Sequence, residues 1–540
     1  MIRRFGRPFE LAVVLLPLLL GCQERKAGCA DCGTVVVAAV SEPTSLVPPL
    51  VSETVGRDIS DQVYERLANL APGAAPIDLA AYRPGLAEHW ERIDSLTWRF
   101  HLRPGARWHD GRRVTAQDVV FSFDAFSDST LDATARSYLA GRVHATAEDS
   151  TTVRIAFKTP SPDQLYDATY HVRVLPQHVW DSIPRTRWAA DTTLSHLVGS
   201  GPYRMQDWRR GQFIRLTAES LEAGRDRLPA IRRAIWRFGA DPDAALNLIL
   251  SHEADMMETA GTPERTQRVL ADTSFRVVAY PAAVYGFLAF RVADAAGHPH
   301  PILGNREVRR ALAEAVDRPT VARALFGEGT KAPPGPMSQL LWIWDDKTRV
   351  LPFDSTQARE SLARVKTQHP LGRIDILVPS TSSARRQLAQ VIQEAWRKVG
   401  VTATVTTVDF PVFQERLAKG RFDSYIGAYL DEPSPRSLAE QWSRSGWGAL
   451  NYGHYANPVF DALLGAASRE GDVTAARRRW REAMDTLNAD APAIFLYALA
   501  NNAVVQRRLE NVQLDPYSWA SGLPEWKIDP ARALVRDSVR

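Results

Sequence analysis

The sequence has few cysteines, no strong excess of charge of one sign and no apolar run of bilayer-spanning length. The 66 lysines and arginines nearly balance the 62 acidic residues, which leaves a net charge of +4, and the basic residues form no long run. Binding to a phosphate backbone usually requires such a run, so nucleic acid is not an expected partner. With 540 residues, 45% of them hydrophobic, the chain can form a large core, and we expect more than one lobe.

The cysteines are all near the amino terminus. Cys29 and Cys32 have the CxxC spacing of a redox pair or of half a zinc site. No βαβ pattern surrounds them and no second pair of ligands follows, which argues against both functions. We expect either a local disulfide or two unreacted thiols at this position. The sequence predicts no resident metal and no cofactor.

The first residues have the pattern of a bacterial lipoprotein leader. Three arginines precede the apolar run Leu11–Leu20, which is too short to span a bilayer. The next segment, Leu19-Leu20-Gly21-Cys22, is similar to a lipobox, in which diacylglycerol is attached to the cysteine. We therefore predict a signal peptide over residues 1–21, lipidation at Cys22 and a tether over 22–33. The mature protein would work outside the cytoplasm, anchored by lipid to a bacterial membrane.

Two kinds of secondary-structure pattern follow one another along the mature chain. The run Thr34–Val40 predicts a buried strand, and Leu67–Thr159 predicts an antiparallel meander of short strands and turns. After Arg306 the apolar residues recur with helical spacing. The later segments predict alternating strands and helices of a parallel sheet: strand Ile374–Val378, helix Ala384–Val399, strand Val401–Val408, helix Val412–Lys419 and strand Phe422–Tyr429. A final strand, Ile494–Val505, would return the chain to the first lobe.

Several motifs occur in a fixed order along the chain. The most specific segment, Thr97–Phe123, contains WRFHLR, WHDG and TAQDVVFSF. Further motifs are Val198–Tyr203, Glu253–Met256, Val308–Leu312, Ala315–Arg318, Tyr455–Leu464 and Pro492–Tyr497. In order and spacing they resemble the family 5 extracellular solute-binding proteins, which include oligopeptide, dipeptide and nickel receptors. Within these motifs we expect Asp118 and Asp317 to cap the helices that follow them.

The resemblance implies a fold and a function. The expected fold is α/β, a two-lobed periplasmic-binding-protein-like (type II, cluster C) fold with an extra antiparallel subdomain in the first lobe. Its expected parts are lobe I at 34–280 with the subdomain inserted at about 67–195, lobe II at 281–490, and a return segment of lobe I at 491–540. The expected function is peptide binding in the cleft between the lobes, followed by delivery to an ABC permease and ATPase complex. Such a receptor is expected to be a monomer that closes around its ligand by a hinge motion.

The segment Ile426–Pro433 is the most informative part of the expected site, because it is similar to a WxxDYxxP-like motif of the family. Its last residues, Leu430–Pro433, follow a predicted parallel strand, at the sheet edge where ligands gather. Aligned on Glu432-Pro433, the segment places Tyr429 where oligopeptide receptors have an aspartate that pairs with the amino terminus of the peptide. The resemblance therefore does not predict that a free amino terminus is recognised in the same way. Two interpretations of Asp431 stay open: it pairs with an ammonium from a neighbouring position, or it is a solvated carboxylate.

Other ligand-binding candidates come from the same alignment. They are Glu258, Thr259, Tyr285, Trp442, Trp447 and Tyr497, and each has an alternative interpretation as ordinary packing. Tyr429 and Trp442 would form one wall of the cleft, and Glu258 and Thr259 the other. The indole of a tryptophan offers a large apolar face and one hydrogen-bond donor.

Alternative functions were weighed on specific residues. A hydrolase is not expected, because Gly199-Ser200-Gly201 lacks the GxSxG spacing of a nucleophile elbow and no other nucleophile is assignable. The histidines His252, His298 and His300 leave open a nickel or haem receptor of the same family, and an oligosaccharide receptor is a further alternative. A lipoprotein adhesin or signalling receptor on the same fold also stays open.

Overall fold

A computed structural model describes residues 33–538, except 52, 132, 134, 135, 220–227, 369, 370 and 381. The predicted signal peptide and tether, with Cys22, Cys29 and Cys32, lie outside the described residues. Within the described part of the chain, no helix combines the length and the apolar character needed to cross a membrane.

The described residues form strands that run from β1 to β18 in chain order. They are β1 (Thr34–Ala39), β2 (Ala68–Leu70), β3 (Tyr82–Pro84), β4 (Ala87–Asp94), β5 (Thr97–Leu102), β6 (Val143–Ala147), β7 (Thr152–Phe157), β8 (Tyr203–Arg209), β9 (Phe213–Ala218), β10 (Arg233–Phe238), β11 (Met256–Met257), β12 (Phe275–Phe290), β13 (Ile374–Pro379), β14 (Ala403–Val408), β15 (Ser424–Leu430), β16 (Ala493–Gln506), β17 (Leu509–Glu510) and β18 (Lys527–Ile528).

The α-helices, again in chain order, connect and cover these strands. They are α1 (Thr54–Val63), α2 (Ala116–Ser127), α3 (Arg136–Leu139), α4 (Gln164–Thr169), α5 (Gln177–Trp180), α6 (Pro242–Leu250), α7 (Pro263–Leu270), α8 (Arg306–Glu314), α9 (Arg318–Phe326), α10 (Ser355–Gln368), α11 (Ser383–Lys398), α12 (Phe410–Ala418), α13 (Ser437–Trp442), α14 (Pro458–Ser468) and α15 (Val473–Asp490).

One sheet of ten strands runs through the molecule in the order β14-β13-β15-β12-β16-β11-β1-β10-β9-β8. Strand β1 is parallel to both of its neighbours, β10 and β11, and all six of its residues are buried. A strand that is covered on both faces needs apolar side chains on both, which accounts for its sequence TVVVAA. The predicted first strand is thus confirmed at the centre of one half of the sheet.

The long strands β12 and β16 join the two halves of the molecule. The two strands are antiparallel. Their pairing begins with the partners Phe275 and Gln506 and ends with the partners Ala289 and Ala493, and its register shifts between Pro281 and Tyr285. We call the half around β1 and β8–β11 lobe I, and the half around β13–β15 lobe II. Both crossing strands belong to both halves, so the lobes share one continuous sheet. The predicted return strand is confirmed as β16, which pairs with β11 in lobe I.

Lobe II confirms the predicted alternation of strands and helices. Strand β13 is parallel to both β14 and β15. Helices α11 and α12 connect these strands and bury Leu388, Ile392, Trp396, Phe413 and Leu417 against the sheet. The side chains on the two sheet faces belong to two separate apolar cores.

Lobe I carries a second, four-stranded sheet with its own apolar core, in the order β4-β5-β7-β6. All three pairings are antiparallel, as predicted. The predicted meander is wrong, because β5 pairs with β7 rather than with the next strand along the chain. The helices α2 and α3 lie between β5 and β6, so the chain leaves the sheet before it returns.

The helix caps confirm one prediction and correct another. Asp317 caps α9 by accepting a hydrogen bond from the backbone N–H of Thr320. Asp118 does not cap α2; it is the third residue of that helix, and Thr115 is the cap. The carboxylate of Asp118 accepts from the backbone N–H of Thr115 at 2.8 Å, which forms a capping box.

The carboxyl-terminal segment is tied to lobe I by buried charges. The guanidinium of Arg508 is 3% exposed and lies 2.9 Å from Asp255 and 2.8 Å from Asp537. Asp537 also accepts a hydrogen bond from the backbone N–H of Thr34, the first residue of β1. Residues from both ends of the described chain therefore meet in one ion-pair network.

Candidate functional site

The lobes contact each other through the segment that follows β15, residues 431–436, which we call the β15 loop. The guanidinium of Arg436 in this loop donates to both oxygens of Asp167 in α4, at 2.6 and 3.0 Å. Asp163 lies 3.5 Å from the same guanidinium. Burial raises the pKa of Asp163 to about 6, although Arg436 acts in the opposite direction. A charged pair thus bridges the lobes on one side of the cleft.

Three predicted site residues form one aromatic cluster in lobe II. The rings of Tyr285 and Tyr429 are 6.1 Å apart, and the indole N–H of Trp442 donates to the Tyr285 hydroxyl at 3.1 Å. That hydroxyl donates in turn to Oε1 of Gln441 at 2.5 Å. Neighbouring strands bring Tyr285 and Tyr429 together, because they are partners in the register of β12 and β15. The alignment did not predict Gln441.

Asp431 is a buried carboxyl group at the start of the β15 loop. Its Oδ2 accepts a hydrogen bond from the backbone N–H of Ser338 at 2.5 Å. Its Oδ1 is buried and has no hydrogen-bond partner among the described residues. Burial raises the pKa of this carboxyl to about 7, and the bond from Ser338 only partly offsets the effect. Of the two interpretations left open for Asp431, the solvated one is wrong, because the side chain is 3% exposed.

A cavity of about 820 Å³ lies where lobe I meets the β15 loop. Its wall includes Tyr64, Arg66, Tyr170, Pro433 and Tyr517. The buried hydroxyls of Tyr64 and Tyr517 have no hydrogen-bond partner in the described chain. The negative charge of Asp431 helps to raise the pKa of Tyr517, so the two groups are near each other. Unpaired polar atoms at the edge of a large cavity are suited to hydrogen-bond a polar ligand.

No sequence pattern predicts Tyr64 and Tyr517 as site residues. Tyr64 follows α1, whereas Tyr517 lies in the carboxyl-terminal segment, about 450 residues later. Neither residue belongs to a quoted motif. The only signal in the sequence was that Tyr64 is an aromatic residue at the end of a helix. Aromatic residues at such positions are common in any apolar core.

A smaller cavity of about 240 Å³ lies in lobe I beyond the carboxyl end of β1. The predicted residues Glu258 and Thr259 line it, together with Trp236, Trp519 and Glu53. The hydroxyl of Thr259 accepts from the backbone N–H of Gly261 at 3.1 Å, so part of its role is to shape the loop. The structure therefore places two predicted residues on a cavity wall of lobe I.

Two predicted residues lie apart from these groups. The indole N–H of Trp447 donates to the backbone carbonyl of Tyr455 at 2.9 Å, and Arg444 stacks on its ring. Tyr497 packs on Phe326, with ring centroids 4.0 Å apart, on the sheet face opposite the Tyr285 cluster. Neither residue lines either of the two cavities.

The histidines considered for metal binding pair with different carboxylates. His252 lies 3.0 Å from Asp272, His298 3.0 Å from Asp294 and His300 3.1 Å from Asp423. Across the described ranges, no three histidine, cysteine, aspartate or glutamate residues are arranged to hold a metal ion.

The sheet that the two lobes share through two crossing strands is the fold of two-lobed periplasmic binding proteins. The family model for bacterial extracellular solute-binding proteins, family 5, matches residues 81–449, which is more than half of the chain. The chain therefore belongs to this family. Its members are substrate-binding transport proteins of the periplasm or the cell exterior rather than enzymes.

Individual relatives agree with this assignment. The dipeptide-binding protein of Escherichia coli is 24% identical over 522 residues, which cover 89% of this chain and 92% of that protein. The ABC transporter substrate-binding protein CtaP of Listeria monocytogenes has a TM-score of 0.80 and 20% identity over 92% of this chain and 100% of its own. The oligopeptide-binding protein AppA of Bacillus subtilis, solved with a nonapeptide, has a TM-score of 0.71 and 19% identity over 92% and 99%.

Proposed function

We propose that this protein is the receptor of an ABC importer, which binds peptides between its lobes and delivers them to a membrane permease. The observation that carries the proposal is the group of unpaired polar atoms at the junction of the lobes. Asp431, Tyr64 and Tyr517 each have a buried oxygen without a partner in the described chain. A peptide main chain offers the N–H and C=O groups that such oxygens lack. The peptide-binding relatives support the same ligand class.

The proposed mechanism is closure of the lobes about the two crossing strands. The register shift of β12 between Pro281 and Tyr285 interrupts the regular ladder at the point where the chain passes between lobes. Irregular backbone of this kind absorbs changes of φ and ψ more easily than regular strand does. A ligand favours the closed form only through its higher affinity for that form, so it must contact both lobes.

In this proposal the walls of the cleft have different tasks. In lobe II, Asp431 supplies one carboxyl group and Tyr429 a half-buried ring, while the buried Tyr285 and Trp442 pack in the same aromatic cluster. Glu258 and Thr259 supply polar groups from lobe I. The aspartate that oligopeptide receptors use at the Tyr429 position is absent, so the α-amine cannot be held in the same way. Trp447 and Tyr497 would act only through packing, because both are engaged elsewhere.

As a lipoprotein, the receptor would be held at the membrane by its amino-terminal segment. Cleavage before Cys22 and lipidation of that residue would anchor a monomeric receptor to the membrane, and residues 22–33 would hold it near the permease. Lobe I would comprise 34–280 and 491–540, and lobe II would comprise 281–490. Metabolic labelling with a radioactive fatty acid tests the anchor: the wild type incorporates label and a Cys22→Ala variant does not.

A thermal-shift screen tests the ligand class. A soluble chain that begins at Gly33 is heated with di- to octapeptides, nickel, haem or oligosaccharides. Peptides are expected to raise the unfolding midpoint, and Tyr429→Ala and Asp431→Ala are expected to reduce the increase. If nickel, haem or a sugar raises the midpoint and peptides do not, the receptor belongs to another substrate class of the same fold.

A further inference from the structure

Three acidic side chains of lobe I, those of Asp58, Glu258 and Glu53, lie at or next to the smaller cavity. Asp58 in α1 is completely buried, and its Oδ2 has no hydrogen-bond partner among the described residues. Its Oδ1 lies 3.5 Å from the hydroxyl of Ser518, and the indole of Trp519 also interacts with the carboxyl. A buried carboxylate normally requires a nearby cation or several donors.

Glu258 lines the wall of the smaller cavity, and its charge acts on Asp58. No hydrogen bond or ion pair joins its carboxylate to a described residue, and burial raises its pKa. The pKa of Asp58 is raised by burial and, next, by the charge of Glu258, so the two carboxyls are close enough to repel each other. The other charged groups that act on the pair are Arg57, which opposes the shift, and Asp61, which adds to it.

The rest of the cavity wall is suited to a cation. Two indoles, of Trp236 and Trp519, line the same space as Glu258. A third carboxylate, of Glu53, also lines it, and the Oε2 of Glu53 is buried without a partner. The faces of indole rings attract cations, and carboxylates accept their N–H donors. Arg57 is a nearby cation that acts on both Asp58 and Glu258, but among the described residues it makes no ion pair of 4 Å or less with either carboxylate.

We propose that Asp58 and Glu258 form a subsite that binds a primary ammonium group of the ligand, with Trp236 and Trp519 as its aromatic walls. The inference rests on the proposed function, because it names the ligand group that the lobe I wall selects. An ammonium offers three donors, whereas Oδ2 of Asp58 has no donor among the described residues and the carboxylate of Glu258 has no side-chain partner there. The charge of the ammonium would also relieve the repulsion between Asp58 and Glu258. The subsite replaces, from the opposite lobe, the carboxylate missing at Tyr429.

The ammonium can come from the amino terminus of a peptide or from a lysine side chain. Calorimetric titration of the chain from Gly33 onward with alanine pentapeptides distinguishes these sources. One arm compares free with N-acetylated pentaalanine, and the other compares lysine with norleucine at each position. The wild type is expected to bind the ammonium-bearing peptide about tenfold or more tightly in at least one arm. Glu258→Gln and Asp58→Asn are expected to bind both members of that pair alike.

The matched control is Glu253→Gln. Glu253 is an exposed carboxylate five residues away that pairs with Arg237, and its loss should leave the discrimination unchanged. The inference is overturned if the wild type binds charged and uncharged peptides equally, or if Glu258→Gln discriminates as well as the wild type. A normal unfolding midpoint shows that each variant is folded.

A separate measurement covers the case in which no pentapeptide binds, which would count against the proposed function. Butylammonium chloride is compared with sodium chloride at equal concentration in a thermal-shift assay. Butylammonium is expected to raise the unfolding midpoint of the wild type more than sodium does, and to raise that of Glu258→Gln no more than sodium does. This result would support the ammonium subsite even if the ligand is not a peptide. No difference in the wild type overturns it.

Discussion

Arg436 in lobe II and Asp167 in lobe I form a two-pronged ion pair, with N–O distances of 2.6 and 3.0 Å. Asp163 adds a second carboxylate beside the same guanidinium. Loss of one partner of a buried pair leaves an uncompensated charge, which usually costs about 3–5 kcal/mol. The pair therefore favours the arrangement in which the β15 loop touches lobe I.

Arg436→Gln is expected to open the protein. Without the guanidinium, the buried charges of Asp163 and Asp167 are better solvated when the lobes separate. Small-angle X-ray scattering of the ligand-free variant should give a larger radius of gyration than that of the wild type. Arg397→Gln is the control, because Arg397 pairs with Glu394 on the surface of α11. Equal radii for Arg436→Gln and the wild type would contradict the role of the pair.

Asp431→Asn is expected to stabilise the ligand-free protein above neutral pH. Burial raises the pKa of Asp431 from 3.8 to about 7, so the folded wild type binds a proton more tightly than the unfolded chain does. The wild type therefore loses stability as pH rises from about 4 through 7, whereas the variant does not lose this contribution. The difference in the free energy of unfolding should reach about 2–4 kcal/mol at pH 8.

Urea unfolding of both proteins at pH 5 and pH 8 measures this difference. Tyr285 and Tyr517 are the titratable neighbours of Asp431, and burial holds the pKa of each well above its usual value, so they stay neutral across this range. A wild type that is as stable at pH 8 as the variant would show that Asp431 is ionised without cost.

Tyr285→Phe is expected to destabilise lobe II by about 1–3 kcal/mol. The change removes the hydroxyl that joins Gln441 to the indole of Trp442, so a buried acceptor and a buried donor lose their partner. Chemical denaturation followed by tryptophan fluorescence measures the loss. Tyr452→Phe is the matched control, because the Tyr452 hydroxyl makes no hydrogen bond with the described residues, and it should change stability by much less.

Asp255→Asn is expected to weaken the attachment of the carboxyl-terminal segment to lobe I. The completely buried Asp255 carboxylate holds Arg508, and the substitution leaves that guanidinium with Asp537 as its one remaining carboxylate. A loss of about 3 kcal/mol in the free energy of unfolding is expected. Limited proteolysis should then cut near residue 530 sooner than in the wild type. The surface variant Glu394→Gln should behave like the wild type in both assays.

Local pattern was sufficient to predict much of the fold. The strands and helices between Ile374 and Tyr429 were predicted to within a few residues, because each is a short run with one clear period and a turn signal at its end. The antiparallel subdomain was recognised in the same way. Its strand order was not, because no spacing in the sequence records that β5 pairs with β7 across the intervening helices α2 and α3.

The site was predictable only where residues are close in sequence or aligned with a motif. Tyr429 and Asp431 were found because they stand in one recognisable segment. The pair Asp58 and Glu258 and the cavity residues Tyr64 and Tyr517 are brought together by folding across 200 or more positions. Nothing in a single sequence records that their polar atoms are buried and unpaired.

Calorimetric titration with peptides of two to eight residues tests the central claim most directly. The account predicts saturable binding of one peptide per protein for at least one length, with weaker binding in Asp431→Ala and in Arg436→Gln, which act from different points of the lobe junction. The absence of binding for every peptide length, together with saturable binding of nickel, haem or an oligosaccharide, would contradict the account.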